Sequence, residues 1–173
     1  MNSVQRAIAK AFFAVLIASI CLPALAEEFK GKVVAVKDGD SLLVLHNGST
    51  EKVILYGIDC PEAKQDYGPQ AREFTEQNCK DKSVSVSVKG HDRFERVIAE
   101  VFLPDGSSLN QELLKQGCAW WSDKYAAKDA TLKQLHMDAK AKRIGLWSNP
   151  KAVPPWIFRN GEKSVQAIIK PAQ

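Results

Sequence analysis

Short β-strand patterns separated by turn residues place the strongest constraint on how this chain can fold. Five stretches rich in Val, Ile and Leu cover residues 29–36, 41–46, 52–58, 83–89 and 97–103. Asp38-Gly39 and Asn47-Gly48 are turn signals between the first three, which therefore predict a three-strand meander. An open sheet of five strands would leave two exposed edges. The pattern therefore favours a small closed barrel.

Three helices are predicted between and after these strands. The first covers residues 69–80 and begins with a proline, which suits a first helical turn. The second covers 109–116 and follows a capping-box pattern formed by Ser108 and Gln111. The third covers 126–143 and has apolar residues at helical spacing. Together with the barrel, these helices predict an α+β domain.

The first 26 residues have the features of a cleavable secretion signal. Arg6 and Lys10 precede an uncharged apolar run that covers residues 11–22. The small residues of Ala24-Leu25-Ala26 then suit cleavage by a signal peptidase. The run is too short to span ~30 Å of hydrocarbon as a helix, which favours a signal peptide over a membrane anchor. We therefore expect a protein that is exported to a periplasm or secreted, with no stable membrane association after cleavage.

The remaining chain has the length of one domain. We expect a signal peptide at 1–26, a domain at 27–150 and a partly irregular tail at 151–173, whose last dozen residues are expected to be mobile. The chain has 24 Lys and Arg against 20 Asp and Glu, so loss of Arg6 and Lys10 leaves 22 against 20. This balance is compatible with a nucleic-acid partner but does not by itself favour one.

Cysteine content allows one disulfide in the exported part. Cys60, Cys79 and Cys118 remain after cleavage, and three thiols form at most one intramolecular bridge. An exported protein can keep such a bridge. Cys118 lies among apolar residues, so Cys60 with Cys79 is the expected pair. None of the spacings matches a zinc site.

Polar residues that a hydrophobic core does not require are concentrated in three stretches at strand ends. They cover residues 38–41, 59–62 and 92–96. If the meander brings the strand ends together, Asp40 and Asp59 face one point, and a hard divalent cation relieves their repulsion. Glu62 can then hold or deprotonate a water, and Arg96 can bind a phosphate. Cation, water-activating carboxylate and guanidinium are the parts that phosphoryl chemistry requires.

Taken in their order along the chain, these motifs and the segments around them resemble the characteristic motifs of the staphylococcal nuclease (thermonuclease) family. The resemblance runs from about residue 31 to 148. Its matching segments are 37–41, 55–62, 67–69, 92–96, 109–113 and 145–148. It implies an OB-fold barrel of five strands with three helices, and calcium-dependent cleavage of DNA and RNA that leaves 3′-phosphates. The expected partner is nucleic acid, bound without sequence specificity by a monomer.

The resemblance also implies roles for individual residues. Asp40 and Asp59 become the carboxylate ligands of Ca²⁺, with the backbone carbonyl of Cys60 as a third ligand. Glu62 becomes the residue that orients or deprotonates the attacking water, and Arg96 the residue that holds the phosphate and stabilises the transition state.

Contacts with the substrate are expected from residues on two loops and one strand. Tyr125 falls near a tyrosine that the family places against the nucleotide. Phe94 stands where a tyrosine is common and can still stack on a base. Arg93 beside it and Lys52 on the third strand complete the expected set.

Two positions depart from the family pattern. The third strand normally carries an arginine five residues before the calcium aspartate, and here that residue is Ile54. Lys52 points to the same face and is a partial substitute, although an ammonium cannot make a two-pronged contact. Glu95 replaces a common glycine and can pair with Arg93 or Arg96.

Because of Ile54, a second function stays open. Loss of one phosphate-binding donor typically costs ~10²–10³ in rate, so an OB barrel that binds nucleic acid without cutting it is the alternative. A structural domain of the cell envelope is a third interpretation, and it predicts no calcium affinity.

Overall fold

Five strands close into a β-barrel in the computed structural model, which describes residues 27–161. In chain order, the described residues contain these five barrel strands and two further short ones: β1 (Glu28–Asp38), β2 (Ser41–His46), β3 (Ser49–Leu55), β4 (Ile58–Asp59), β5 (Ser83–His91), β6 (Val97–Phe102) and β7 (Trp120–Trp121). The barrel order is β1-β2-β3-β6-β5, and β3 and β6 form a parallel pair in it. β4 and β7 form a separate antiparallel pair. This closed barrel with its helices confirms the predicted α+β fold.

Residues 1–26 and 162–173 lie outside the part of the chain that the structure describes. The expected signal peptide at 1–26 and the expected mobility of the tail from residue 162 onward therefore stay predictions. None of the helices found within 27–161 has the length and apolar character needed to cross a membrane.

Alternation of side chains along the strands fills the barrel. On β3, Val53 and Leu55 are buried in the interior, whereas Lys52 and Ile54 face outward, as expected from a two-residue period. On β1, the register shifts between Val36 and Asp38, just before the turn into β2. Such a bulge bends a strand and re-aims its side chains.

The helices pack around the barrel. They are α1 (Gly68–Cys79), α2 (Leu109–Lys115), α3 (Asp123–Ala126), α4 (Ala130–Ala141) and α5 (residues 155–161), with a 3₁₀ turn at Gly145–Ser148. The helix predicted over 126–143 is present but shorter, because it begins only at Ala130 and ends at Ala141. The side chain of Asp129 accepts a hydrogen bond from the Leu132 amide at 3.0 Å, so it caps the helix there.

One buried amide joins α2 to the barrel. Asn110 on α2 is 1 % exposed. Its Oδ1 accepts from the Val101 amide at 3.1 Å, and its Nδ2 donates to the carbonyls of Tyr56 and Ala99 at 2.9 and 3.3 Å. Unpaired polar groups in a core are costly, so this network fixes α2 against β6 and the end of β3.

The expected disulfide is absent among the described residues. Cys60, Cys79 and Cys118 are all buried free thiols. The Cys79 thiol donates instead to the Thr75 carbonyl within α1, at 3.0 Å. Burial raises the pKa of Cys79 to about 12 and that of Cys118 to about 11. The thiols therefore behave as small core residues, and the Cys60–Cys79 prediction is wrong.

Candidate active site

Gly39 allows the turn between β1 and β2 to pack closely against Cys60, the residue that follows β4. A Cβ on Gly39 would lie 2.7 Å from Cys60 Sγ and 3.0 Å from the Ala71 Cβ, so no larger residue fits there without displacement. The Gly39 carbonyl accepts from Thr75 Oγ1 at 2.6 Å, and Asp40 Oδ2 accepts from the Cys60 amide at 2.8 Å. The β1–β2 turn and the segment after β4 are thus fixed side by side.

Three carboxylates, those of Asp38, Asp40 and Asp59, lie close together where the β1–β2 turn meets the end of β4. Burial, followed by the charges of Asp38 and Asp59, raises the pKa of Asp40 well above its ordinary value. Within residues 27–161, Oδ1 of Asp38 is buried without a hydrogen-bond partner. Buried, mutually repelling oxygens are the chemistry that a hard cation such as Ca²⁺ satisfies. The donor set therefore fits such an ion.

The number of candidate ligands is small. The described part of the chain contains no group of three or more His, Cys, Asp or Glu side chains that could hold a metal ion. The set expected from the sequence needs only two carboxylates, those of Asp40 and Asp59, and the Cys60 carbonyl. Water would complete the shell of six to eight oxygens that Ca²⁺ takes.

A guanidinium from α5 enters the same cluster. Arg159 Nη1 donates to Asp59 Oδ1 at 3.0 Å and to Glu62 Oε1 at 2.5 Å, and its Nη2 donates to Asp59 Oδ2 at 2.7 Å. The bonds to Asp59, and then those to Glu62, raise the pKa of Arg159 against the opposing effect of burial. Asp59 and Glu62 are therefore brought together, as expected, but by a residue that was not expected there.

Sequence reasoning missed Arg159 because residues 151–173 were expected to form a partly irregular tail. Within that segment, residues 155–161 form a helix that the sequence analysis did not identify. Pro155 stands at the first helical position, where proline is favoured, and the apolar residues 156–158 follow it. That combination was the available signal for a short docked helix.

Arg96 lies in a second loop and has a partner there. Its Nε donates to Asp92 Oδ2 at 2.6 Å, and Asp92 Oδ1 accepts from the amides of Phe94 and Arg96. The bond from Arg96 is the largest of the effects that lower the pKa of Asp92 to about 2. The ion pair of Arg96 is thus with Asp92, and not with Glu95. Glu95 has φ +58°, a conformation that favours glycine.

The register of β3 relates this loop to the carboxylates. Val97 on β6 is the parallel register partner of Val53 on β3, so the main chain of Arg96, one residue earlier, lies at the level of Lys52. The Leu55 amide donates to the Asp40 carbonyl at 2.9 Å, three residues further along β3. At ~3.3 Å per residue, the level of Arg96 and the level of Asp40 are roughly 10 Å apart along β3. Ile54 lies between them on the outer face, where it offers no charge.

The expected base-contacting residues are on the surface. Phe94 is 63 % and Tyr125 is 68 % exposed. The Arg93 guanidinium lies 4.7 Å from the Phe94 ring centroid, and Lys124 Nζ lies 5.1 Å from that of Tyr125. Lys52 and Arg93 are also exposed. Open aromatic faces with adjacent cations suit single-stranded nucleic acid, although they do not read its sequence.

Comparison with known proteins agrees with this geometry. Residues 52–149 match the family described as "Staphylococcal nuclease homologue". An "Uncharacterized endonuclease" of Escherichia coli is 36 % identical over 138 residues, which cover 80 % of this chain and 90 % of the relative. A "Micrococcal nuclease" of Shigella flexneri is 33 % identical over 165 residues, covering 90 % and 94 %. An "Uncharacterized endonuclease" of Haemophilus influenzae is 35 % identical over 133 residues, covering 76 % and 74 %. The chain therefore belongs to the staphylococcal nuclease family and is a thermonuclease-like nuclease.

Proposed function

We propose that the protein is an exported, calcium-dependent nuclease that cleaves DNA and RNA to 3′-phosphate products without reading their sequence. The observation that carries this proposal is a chain of contacts through three carboxylates. Asp59 lies close enough to Asp40 for its charge to act on it, and Asp59 shares the Arg159 guanidinium with Glu62. Carboxylates in contact with a guanidinium match the demands of phosphodiester hydrolysis, in which the attacking water must be activated and the negative charge on the phosphate oxygens must be stabilised.

In this proposal, Asp40, Asp59 and the Cys60 carbonyl hold Ca²⁺. The ion supplies positive charge to the phosphate oxygens when it is bound. Glu62 accepts a proton from the attacking water through Oε1 or Oε2, or orients that water by accepting its hydrogen bond. Arg96 donates to the phosphate, for which its planar donors are suited. Phe94 and Tyr125 stack on the bases.

The fixed main chain of Glu62 supports this proposed role, because both its amide and its carbonyl are hydrogen-bonded to Gln65. The Glu62 amide donates to Gln65 Oε1 at 3.1 Å, and the Gln65 amide donates to the Glu62 carbonyl at 2.8 Å. Gln65 is itself 6 % exposed. Precise placement matters because a misplacement of about 1 Å can cost ~10² in rate.

The decisive experiment is digestion of single-stranded DNA, duplex DNA and RNA by the purified protein, with Ca²⁺ and with a chelator. Glu62→Gln, prepared in parallel, keeps the shape of the side chain and removes its charge. We expect cutting that requires Ca²⁺ and that Glu62→Gln lowers by at least ~10². Equal cutting by both proteins would point to a contaminant.

The binding-only barrel is the second candidate, and Ile54 on the outer face of β3 favours it. It predicts that the protein binds single-stranded DNA and leaves it intact, with or without Ca²⁺. Export is proposed on residues 1–26 alone. Mass spectrometry of the protein recovered outside the cytoplasm tests it, since cleavage after Ala26 gives a chain that starts at Glu27.

A further inference from the structure

The charges around the carboxylates are unevenly distributed. Within residues 27–161, the ion pairs of Asp59 and Glu62 are both with Arg159, at 2.7 and 2.5 Å. Arg96 is paired with Asp92, and Ile54 is uncharged. A phosphodiester is anionic and is repelled by such carboxylates unless cations face it. Arg159 is therefore the guanidinium in direct contact with the residues proposed to do the chemistry.

We propose that Arg159 is a catalytic residue of this nuclease, a guanidinium from α5 that binds the scissile phosphate beside Glu62. This inference rests on the proposed function, and it deepens that function by extending the site beyond the barrel and its first four helices. It also provides a phosphate donor that the outer face of β3 does not offer at Ile54.

The hydrogen-bonding capacity of Arg159 permits this role. A guanidinium has five N–H groups. Three of them are used in the described structure, two on Nη1 and one on Nη2. The second N–H of Nη2 and that of Nε remain available for two phosphate oxygens. The side chain is 39 % exposed, so these donors are within reach of a substrate.

The segment that carries Arg159 is fixed to the same residues that the chemistry uses. Gln65 Nε2 donates to the Val153 carbonyl at 2.5 Å, while Gln65 Oε1 accepts from the Glu62 amide at 3.1 Å. One buried side chain thus ties the chain leading into α5 to the main chain of Glu62. Two hydrogen bonds of one buried side chain therefore set their relative position.

A second contact fixes α5 to β7, the strand that pairs with the strand carrying Asp59. Trp156 packs edge-on against Trp120, with 5.7 Å between ring centroids. Trp120 on β7 is the register partner of Asp59 on β4. Pro155, which precedes Trp156, is buried. Preorganised donors are the kind that stabilise developing charge most effectively, because they need not reorganise during the reaction.

The first test compares the cutting rates of wild type, Arg159→Gln and Arg159→Lys with Ca²⁺. Arg72→Gln is the matched control, since it also removes one charge from an exposed arginine, on α1. We expect Arg159→Gln to lower kcat/KM by ~10²–10³, Arg159→Lys to recover part of this loss, and the control to have little effect. Urea unfolding of each variant separates loss of folding from loss of function.

The second test needs no cleavage. DNA binding with Ca²⁺ is measured by fluorescence anisotropy in a Glu62→Gln background, over a series of salt concentrations. Adding Arg159→Gln should weaken binding and lower the slope of log K against log salt by about one, the loss expected for one phosphate contact. If Arg159→Gln unfolds the protein, Arg159→Lys provides the comparison, with a kcat/KM well below that of wild type.

Two results would overturn the inference. One is unchanged kcat/KM and DNA binding in Arg159→Gln. The other is faster cutting together with tighter Ca²⁺ binding by calorimetry, which would make Arg159 an internal competitor of the cation. If wild type cuts and Glu62→Gln does not, either result removes only the role of Arg159. If wild type itself does not cut, the proposed function fails, and the anisotropy series still decides whether Arg159 binds phosphate.

Discussion

Gly68 is the position where a single added methyl group should disturb the site most directly. It is the first residue of α1, and an added Cβ would lie 1.9 Å from the Glu62 carbonyl oxygen. Ordinary contact begins at 3.4 Å, so the Glu62 main chain or α1 must move by about 1.5 Å. The obstacle is backbone, which cannot rotate away as a side chain does.

The size of the effect of Gly68→Ala follows from two opposing contributions. Alanine favours a helix over glycine by up to ~1 kcal/mol. Overpacking a buried position costs ~1–3 kcal/mol, so we expect a net loss of about 1–2 kcal/mol. The rate should fall further than the stability suggests, because a shift of about 1 Å at a catalytic group can cost ~10².

Urea unfolding measures the first quantity, and kcat/KM on single-stranded DNA with Ca²⁺ measures the second. Gly161→Ala is the matched control, since nothing lies within 4 Å of its added Cβ. The reasoning is refuted if Gly68→Ala retains wild-type stability and a wild-type rate. A loss of stability with no loss of rate would show that Gly68 supports α1 but does not position Glu62.

Three further predictions concern the fold and the second loop. Glu95→Gly should stabilise the protein by about 1 kcal/mol, because φ at this position is +58°, whereas Glu95→Ala should not; urea midpoints compare them. Asn110→Ala should lower the unfolding free energy by about 3 kcal/mol, because it leaves buried partners such as the Val101 amide unpaired; an undiminished urea midpoint would contradict this. The pKa of Asp92 is lowered from 3.8 to about 2, so its contribution to stability is present above pH 4 and is lost as pH falls toward 2. Over that range, wild type should lose more stability than Asp92→Asn in acid titrations followed by circular dichroism, and parallel curves would disprove it.

The barrel was predictable because its signals are local. Alternating apolar residues and turn dipeptides gave β2 as Ser41–His46, the range found in the structure. The third strand was predicted to continue to residue 58, but it ends at Leu55. Gly57 has φ +76°, so the chain turns there and resumes as β4. A turn that depends on one glycine is easily taken for a continuous strand.

The candidate site was only half predictable. The carboxylates lie in short motifs whose order and strand context are visible in the sequence. Arg159 is bound to Asp59, which is 100 residues away, and to Glu62, which is 97 residues away. No spacing rule links such residues, since their meeting depends on how Gln65 and Trp120 dock the chain beyond residue 150. The misplaced start of the helix at Ala130 and the free thiols have the same origin, in a side-chain cap and in core packing.

The docking of residues 155–161 means that the candidate site extends beyond the segment by which the family is identified. The segment that matches the family covers residues 52–149, so it contains Asp59 and Glu62 but neither Asp40 nor Arg159. Two relatives that align well over that segment can therefore still differ at the positions of Asp40 and Arg159, two of the residues proposed for the site. Judging which members of such a family are active requires reading the β1–β2 turn before the segment and the short helix after it.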